Sequence, residues 1–294
     1  LADVYRKVRN TSRYLLGNLH DFNPATDAIP IAELPLLDRW MLQRTAEVMD
    51  DITEAFESFE FFRFFQLLQN FCVTDLSNFY LDIAKDRLYV SAPADQRRRS
   101  CQTVMALIIE RLAGLIAPVL CHMAEDIWQN LPYPVEETSV FHRGWPTVPV
   151  EWRDAALSAP VQELRELRAA VNKVLEDCRG RQELGASLEA AVRIDARRPE
   201  LQAALSWLSE TGDPEVDGLR DWLLVSQLQI GGEPWAEVLA SQDDELASIE
   251  VSRARGTKCE RCWHYEGDVG QHPEHPHICG RCVGVLERRT HQLA

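Results

Sequence analysis

Apolar side chains recur every three or four positions from the first residues onward. Val4, Tyr5, Val8, Leu15, Leu16 and Leu19, with Ser12 in the same series, predict an amphipathic helix that is already under way at Leu1. Arg6, Arg9 and Arg13 share one flank of it, read either as a phosphate grip or as a solvated face or bundle ion pairs. Asn23-Pro24, Pro30 and Pro35 form the first connection. A second helix is expected from Leu36 to Phe59, with Leu37, Trp40, Met41, Val48, Ile52 and Phe56 inward. A third is expected from Phe61 to Leu88. Its aromatic stripe of Phe61, Phe64, Phe65, Phe79 and Tyr80 has the spacing of core packing rather than of a base-stacking platform. The fourth runs from Asp95 to Leu131, is apolar around most of its circumference between Val104 and Val119, and should bend or split at Pro118. Arg97, Arg98 and Arg99 sit at its start, where the helix dipole favours anions; either a nearby phosphate or an exposed loop end accounts for them.

Beyond Leu131 the pattern changes. Pro132, Pro134, Pro146 and Pro149, interleaved with Phe141, Trp145 and Trp152, read as an irregular strap that closes the bundle. A helix from Pro160 to Cys178, an alternating strand over Leu188, Ala190, Val192 and Ile194, and a short helix from Pro199 to Ser209 follow. A β-like run from Trp222 to Ile230 completes a small α+β unit, and a hinge at Gly231-Gly232, an acidic segment from Asp243 to Glu250 and a last strand from Ser248 to Arg255 that feeds the cysteine-rich end follow. The expected fold is mainly α: an antiparallel helical bundle over residues 1–150, an α+β connecting module over 151–250 and a cysteine-rich module over 251–294.

Composition narrows the functional classes. The 294 residues carry a net charge of −15, which argues against a generic nucleic-acid coat. The charge is uneven: 14 basic against 20 acidic residues over 1–150, 10 against 21 over 151–250, and 7 against 5 over 251–294. Polyanion contact must therefore rest on local clusters. The best bilayer candidate, Val104 to Leu120, is interrupted by Glu110 and Arg111. Cys72, Cys101, Cys121 and Cys178 read as small buried apolar residues of a protein in a reducing cytoplasm. Leu1, inside a helical pattern, suggests a piece of a longer protein. No Walker loop, Gly-x-Gly-x-x-Gly or nucleophile elbow occurs, and no carboxylate pair can be assigned to catalysis.

The sharpest signal is two Cys-x-x-Cys pairs, Cys259 and Cys262 with Cys279 and Cys282. A two-residue spacer lets a tight turn aim both sulfurs at one metal, and the second pair closes the tetrahedron of a structural zinc site. A redox dithiol would need a βαβ context that is missing around Cys259, and disulfides suit small secreted chains. His264, His272, His275 and His277 lie in the intervening loop and are alternative ligands, though Pro273 and Pro276 mark that stretch as loop.

Several stretches together resemble one family. Tyr5-Arg6-Lys7-Val8-Arg9-Asn10-Thr11, the run Leu81 to Tyr89, Ala117-Pro118 with Ala124-Glu125-Asp126-Ile127-Trp128, and Trp145-Pro146 resemble the helical anticodon-binding domain of class Ia aminoacyl-tRNA synthetases for branched aliphatic amino acids. Val171-Asn172-Lys173 and Gly185 to Glu189 resemble the connecting module that follows there. Lys258 to His264, closed by Cys279-Gly280-Arg281-Cys282, is similar to the terminal zinc finger of the bacterial isoleucyl-tRNA synthetases. The His142-Arg143-Gly144 insert and the histidine-rich loop depart from the family pattern.

The resemblance implies a C-terminal fragment of an ATP-dependent ligase that joins isoleucine to tRNA(Ile). ATP and magnesium would belong to an absent catalytic half, since neither His-Ile-Gly-His nor Lys-Met-Ser-Lys-Ser occurs. Implied partners are tRNA(Ile) and the catalytic and editing domains of the parent chain, with no membrane, in a cytoplasmic monomer. Trp263, beside the knuckle, is a candidate stacking surface for an anticodon base or else a cover over the sulfurs. Arg261, Arg281, Lys258 and Arg255 are candidate tRNA ligands or else a solvated rim. The competing class is a non-enzymatic zinc protein binding duplex DNA or other structured RNA, with duplex DNA supported because the finger also resembles one of DNA glycosylases.

Overall fold

In the computed structural model, which describes residues 2–213 and 216–293 and side chains through Arg288, the first helix is α1, Ala2–Gly17. Leu1, where the pattern predicts the helix to be already under way, lies outside the described residues. α1 buries Val8, Thr11, Ser12 and Leu15, and Arg6, Arg9 and Arg13 face outward. A single turn, α2 (Pro24–Asp27), follows, its N-cap Asn23 accepting from the Ala25 amide at 3.1 Å. α3 (Leu36–Glu57) buries Leu37, Trp40, Met41, Val48 and Ile52 as the pattern predicts.

The expected third helix is a continuous rod with an interruption. α4 (Phe61–Asn70) passes into a π-helical segment, Phe71–Tyr80, and then α5 (Leu81–Val90). Ser77 Oγ and Thr11 Oγ1 both donate to the Cys72 carbonyl, at 2.7 and 3.4 Å, supplying partners where the wider coil forgoes the regular ladder. Phe61, expected inside, is 46% exposed, while Phe64 of the same stripe and Leu68 fill the core.

Pro118 does split the fourth helix. α6 (Gln96–Ile116) ends in turns at Val119 and Leu120, and α7 (Cys121–Gln129) restarts beyond them. Arg97, Arg98 and Arg99 face carboxylates rather than a phosphate or open solvent. Arg98 donates to both oxygens of Asp21 at 2.6 and 2.8 Å, Arg99 reaches Asp27, and Arg97 reaches Asp86. Asp38 and Arg87, both buried, form a two-point ion pair at 2.8 Å, and the Tyr80 hydroxyl donates to the same carboxylate at 2.6 Å. The strap is held as its composition suggests. Trp152 is buried beneath Arg111, Trp128 donates to the Glu137 carbonyl, and the Pro146 ring lies against Gly114, where a Cβ would come within 3.2 Å.

These elements make up the unit of residues 1–155; residues 156–294 form a second. There α8 (Ser158–Gly180) and α9 (Pro199–Thr211) lie on a mixed sheet of order β2-β1-β4-β3. Its strands are β1 (Ala190–Ala196), β2 (Gln227–Ile230), β3 (Ala240–Asp243) and β4 (Ala247–Arg253). β1 and β2 are parallel, with α9 and α10 (Leu219–Leu223) in the crossover, and Val192 lies opposite both Leu228 and Val251. Val192, Ile194, Ile249 and Val251 meet Leu167, Val171 and Leu175 of α8 in one core. The expected β run from Trp222 is corrected: Trp222 is helical, Leu224 caps α10 in the left-handed conformation at φ 55°, and the strand begins only at Gln227. Mostly helical content with a small mixed sheet agrees with the expected fold class.

Candidate metal centre and nucleic-acid interface

β4 leads into a minimal hairpin, β5 (Thr257–Lys258) with β6 (Tyr265–Glu266), which brackets the first cysteine pair. Between them the chain turns tightly: the Cys259 amide donates to the His264 carbonyl at 2.8 Å, and the Trp263 amide to the Cys259 carbonyl at 2.9 Å. The turn requires Trp263 at φ 68°, a left-handed conformation uncommon for a bulky residue. Gly256 enters the hairpin at φ 98° with the Glu266 carbonyl 2.5 Å from where a Cβ would stand, so only glycine fits. The second pair opens α11 (Gly280–Leu293), and the Glu260 amide donates to the His277 carbonyl at 3.0 Å, tying the two halves together.

The four sulfurs of Cys259, Cys262, Cys279 and Cys282 lie within 4.8 Å of one another, and all four residues are buried. Cys259 and Cys282 are 3.8 Å apart and Cys262 and Cys279 3.7 Å. A tetrahedral zinc with bonds of about 2.3 Å requires sulfurs about 3.8 Å apart, so the cluster has the dimensions of that ion. Hydrogen bonds from Cys279 and Cys282 favour a thiolate at Cys262, and that shared proton pushes Cys279 up to about 11 and raises Cys282. A divalent cation removes this mutual opposition. The Cys279 amide donates to Cys259 Sγ at 3.3 Å, and Arg261 Nη1 lies 3.7 Å from Cys282 Sγ. Arg281 hydrogen-bonds toward Cys262. Both guanidinium groups thus address the sulfurs as well as the rim.

None of the loop histidines joins the sulfur group among the described residues. His264 is buried and acts on Cys262 through a hydrogen bond, with Nδ1 unpartnered; His272 reaches Asp268; His277 is exposed. Asp268 caps α11 by accepting from the Gly280 amide at 2.7 Å, which holds its carboxyl below the usual range. Ser226 Oγ accepts from the Tyr265 amide at 2.8 Å, and Arg220 pairs with Glu266 at 3.1 Å, anchoring the hairpin to the sheet. Sequence reasoning missed these anchors, since each joins residues far apart in the chain or types too common to stand out.

The outer surface of the tip is polar and aromatic. Trp263 is 61% exposed, with Lys258 Nζ 5.9 Å from its ring centroid. Arg255 is exposed, its backbone clamped by the Gln227 side chain. With Gln227, Gln229, Trp235 and Arg253 it lines an open groove of about 850 Å³.

Residues 38–194 match the family described as the anticodon-binding domain of tRNA ligase, and residues 256–284 match the zinc finger found in FPG and IleRS. Over 293 residues the chain is 89% identical to the isoleucine–tRNA ligase of Parasynechococcus marenigrum strain WH8102, covering all of this chain and 30% of that protein. It is 78% identical over 289 residues to the isoleucine–tRNA ligase of Synechococcus sp. strain CC9311 and 76% identical over 289 residues to that of Prochlorococcus marinus strain MIT 9313. Each of these matches covers 98% of this chain and 30% of the relative, so the chain spans about a third of the relatives' length.

Proposed function

From a chain that belongs to the anticodon-binding domain family of tRNA ligases, we propose the tRNA-reading part of an isoleucine–tRNA ligase, whose absent portion joins isoleucine to tRNA(Ile) with ATP and magnesium. One structural zinc is held by Cys259, Cys262, Cys279 and Cys282 and leaves no position for substrate. The observation that carries the reading is Trp263: exposed, set at a strained backbone angle on a knuckle of four clustered sulfurs, with a cation over its ring. An anticodon is a single-stranded loop, and such loops are held by stacking bases on aromatic faces while cations take the phosphates. Lys258 and Arg255 flank that face, and Arg261 and Arg281 stiffen the knuckle beneath it.

In this reading residues 1–150 form the anticodon-binding bundle, 151–250 the connecting module and 251–294 the zinc module of a cytoplasmic monomer. This portion performs no chemistry alone, because the family's two ATP-binding signatures are absent from its sequence. No helix among the described residues is long and apolar enough to cross a membrane. Equilibrium binding of tRNA(Ile), a non-cognate tRNA and duplex DNA at several salt concentrations tests the proposal. Preference for tRNA(Ile) supports it. Equal or tighter binding of duplex DNA would favour a non-enzymatic DNA-binding module instead.

A further inference from the structure

Basic residues of the unit 1–155 are almost all spoken for. It contains thirteen arginines and two lysines. Ten of the arginines lie within 4 Å of a carboxylate: Arg39, Arg44, Arg63 and Arg87, Arg97, Arg98 and Arg99, and Arg111, Arg143 and Arg153. Both lysines do as well, Lys7 with Asp3 and Lys85 with Asp82. Arg6, Arg9 and Arg13 have no such pair among the described residues. In a unit with more acidic than basic residues, leaving three guanidinium groups with no carboxylate within 4 Å is not the default outcome, and all three stand on one helix.

Their placement is regular. On α1, steps of three and four residues put Arg6, Arg9 and Arg13 along one stripe about 10 Å long. The stripe lies on the side away from the buried Val8, Thr11, Ser12 and Leu15, and each of the three residues is exposed. Asp3, the acid of the same helix, is taken by Lys7 at 2.8 Å and acts on Arg6 only through its Coulombic field. Like charges at this spacing weaken a helix slightly, so the arrangement is stabilised by an anion that supplies several negative charges along a line. A nucleic-acid strand does so, with evenly spaced phosphates that fork-shaped guanidinium groups grip well.

We propose that Arg6, Arg9 and Arg13 form a rail for the sugar–phosphate backbone of the tRNA, holding a helical stem without reading its sequence. The inference rests on the tRNA-reading function proposed above but concerns contacts separate from the zinc tip. Such contacts fix register and orientation while base contacts elsewhere specify.

The test uses the whole chain and measures tRNA(Ile) affinity from about 50 to 200 mM salt, with Arg6→Gln, Arg9→Gln and Arg13→Gln combined. Gln and Arg have similar helix propensity and these positions are exposed, so the melting curve should be unchanged, and circular dichroism checks this. A second triple variant, Arg63→Gln with Arg153→Gln and Arg181→Gln, removes the same charge from surface ion pairs. The rail variant should bind at least tenfold more weakly at low salt and lower the slope of log affinity against log salt by about two to three. The control should leave that slope nearly unchanged. An unaltered slope in the rail variant overturns the rail while leaving the function standing; equal losses in both variants also overturn it, as an effect of net charge. If the unsubstituted chain fails to bind tRNA at all, both fall together.

Discussion

Lys258 holds its ammonium group 5.9 Å from the centroid of the Trp263 ring, so the most exposed aromatic of the zinc tip carries a cation beside its face. The pairing orients a ring that little else packs against, and it gives the ring a positive neighbour for the phosphate of any base that stacks there.

Replacing that ring is the cleanest probe of the tip. Trp263→Ala should weaken tRNA(Ile) binding by about 1–3 kcal/mol, roughly 5- to 150-fold. Metal content should be unchanged, since no sulfur is touched. Binding titrations alongside metal analysis check this, and full affinity with metal intact would remove the stacking role.

Loss of one sulfur acts differently. Cys259→Ser should abolish stoichiometric zinc and unfold the tip, because in such sites metal binding and local folding are one equilibrium. The helical unit draws on a separate core, and its melting temperature should stay within a few degrees. Metal analysis, limited proteolysis of the terminal segment and far-ultraviolet circular dichroism separate the two effects.

Within the bundle, the Asp38–Arg87 pair lies among apolar side chains and is fully enclosed. Asp38→Ala should destabilise the unit by about 3–5 kcal/mol, because it leaves a buried guanidinium without its anion and takes the acceptor from Tyr80. Combining it with Arg87→Met should recover much of that loss. Urea unfolding of the single and double variants gives the comparison.

Acid sensitivity should trace partly to Asp21. Burial opposes its ionisation, but hydrogen bonds from Arg98 and Gln102 outweigh burial and carry its carboxyl down to about 2. A carboxyl whose folded pKa lies below the unfolded 3.8 contributes stability that is complete above about pH 4 and is lost as pH falls toward 2. The carboxylate is 30% exposed and solvent screens its ion pair, so its share is about 1 kcal/mol. Asp21→Asn should flatten the stability profile in that window and leave its shape at neutral pH alone.

What could be read from the chain beforehand divides by range. The sulfur cluster was legible because ligand spacing within each pair is local, and the long helices because three-and-four periodicity repeats over many turns. The split at Pro118 followed from a missing amide. The π-helical segment was not legible, since three-and-four periodicity does not mark a Cys72 carbonyl that takes hydrogen bonds from Ser77 and from Thr11, 61 residues away. Arg98 could not be assigned to Asp21, 77 residues away, from a run of three arginines alone. Trp222 carries β-favouring neighbours, yet it lies in a short helix that the left-handed Leu224 closes before the strand begins. Ser226 and Asp268 gave no local signal, because what marks them is the backbone amide that each accepts from.

On the proposed function, tRNA binding depends on a metal-held tip that presents Trp263 to RNA. The most direct test is the affinity of this chain for tRNA(Ile) before and after chelation of zinc, with helical content monitored throughout. Chelation should weaken binding at least fivefold and leave the helical signal intact, with recovery on adding back one equivalent of zinc. Equal affinity for tRNA(Ile) with and without the metal would contradict it.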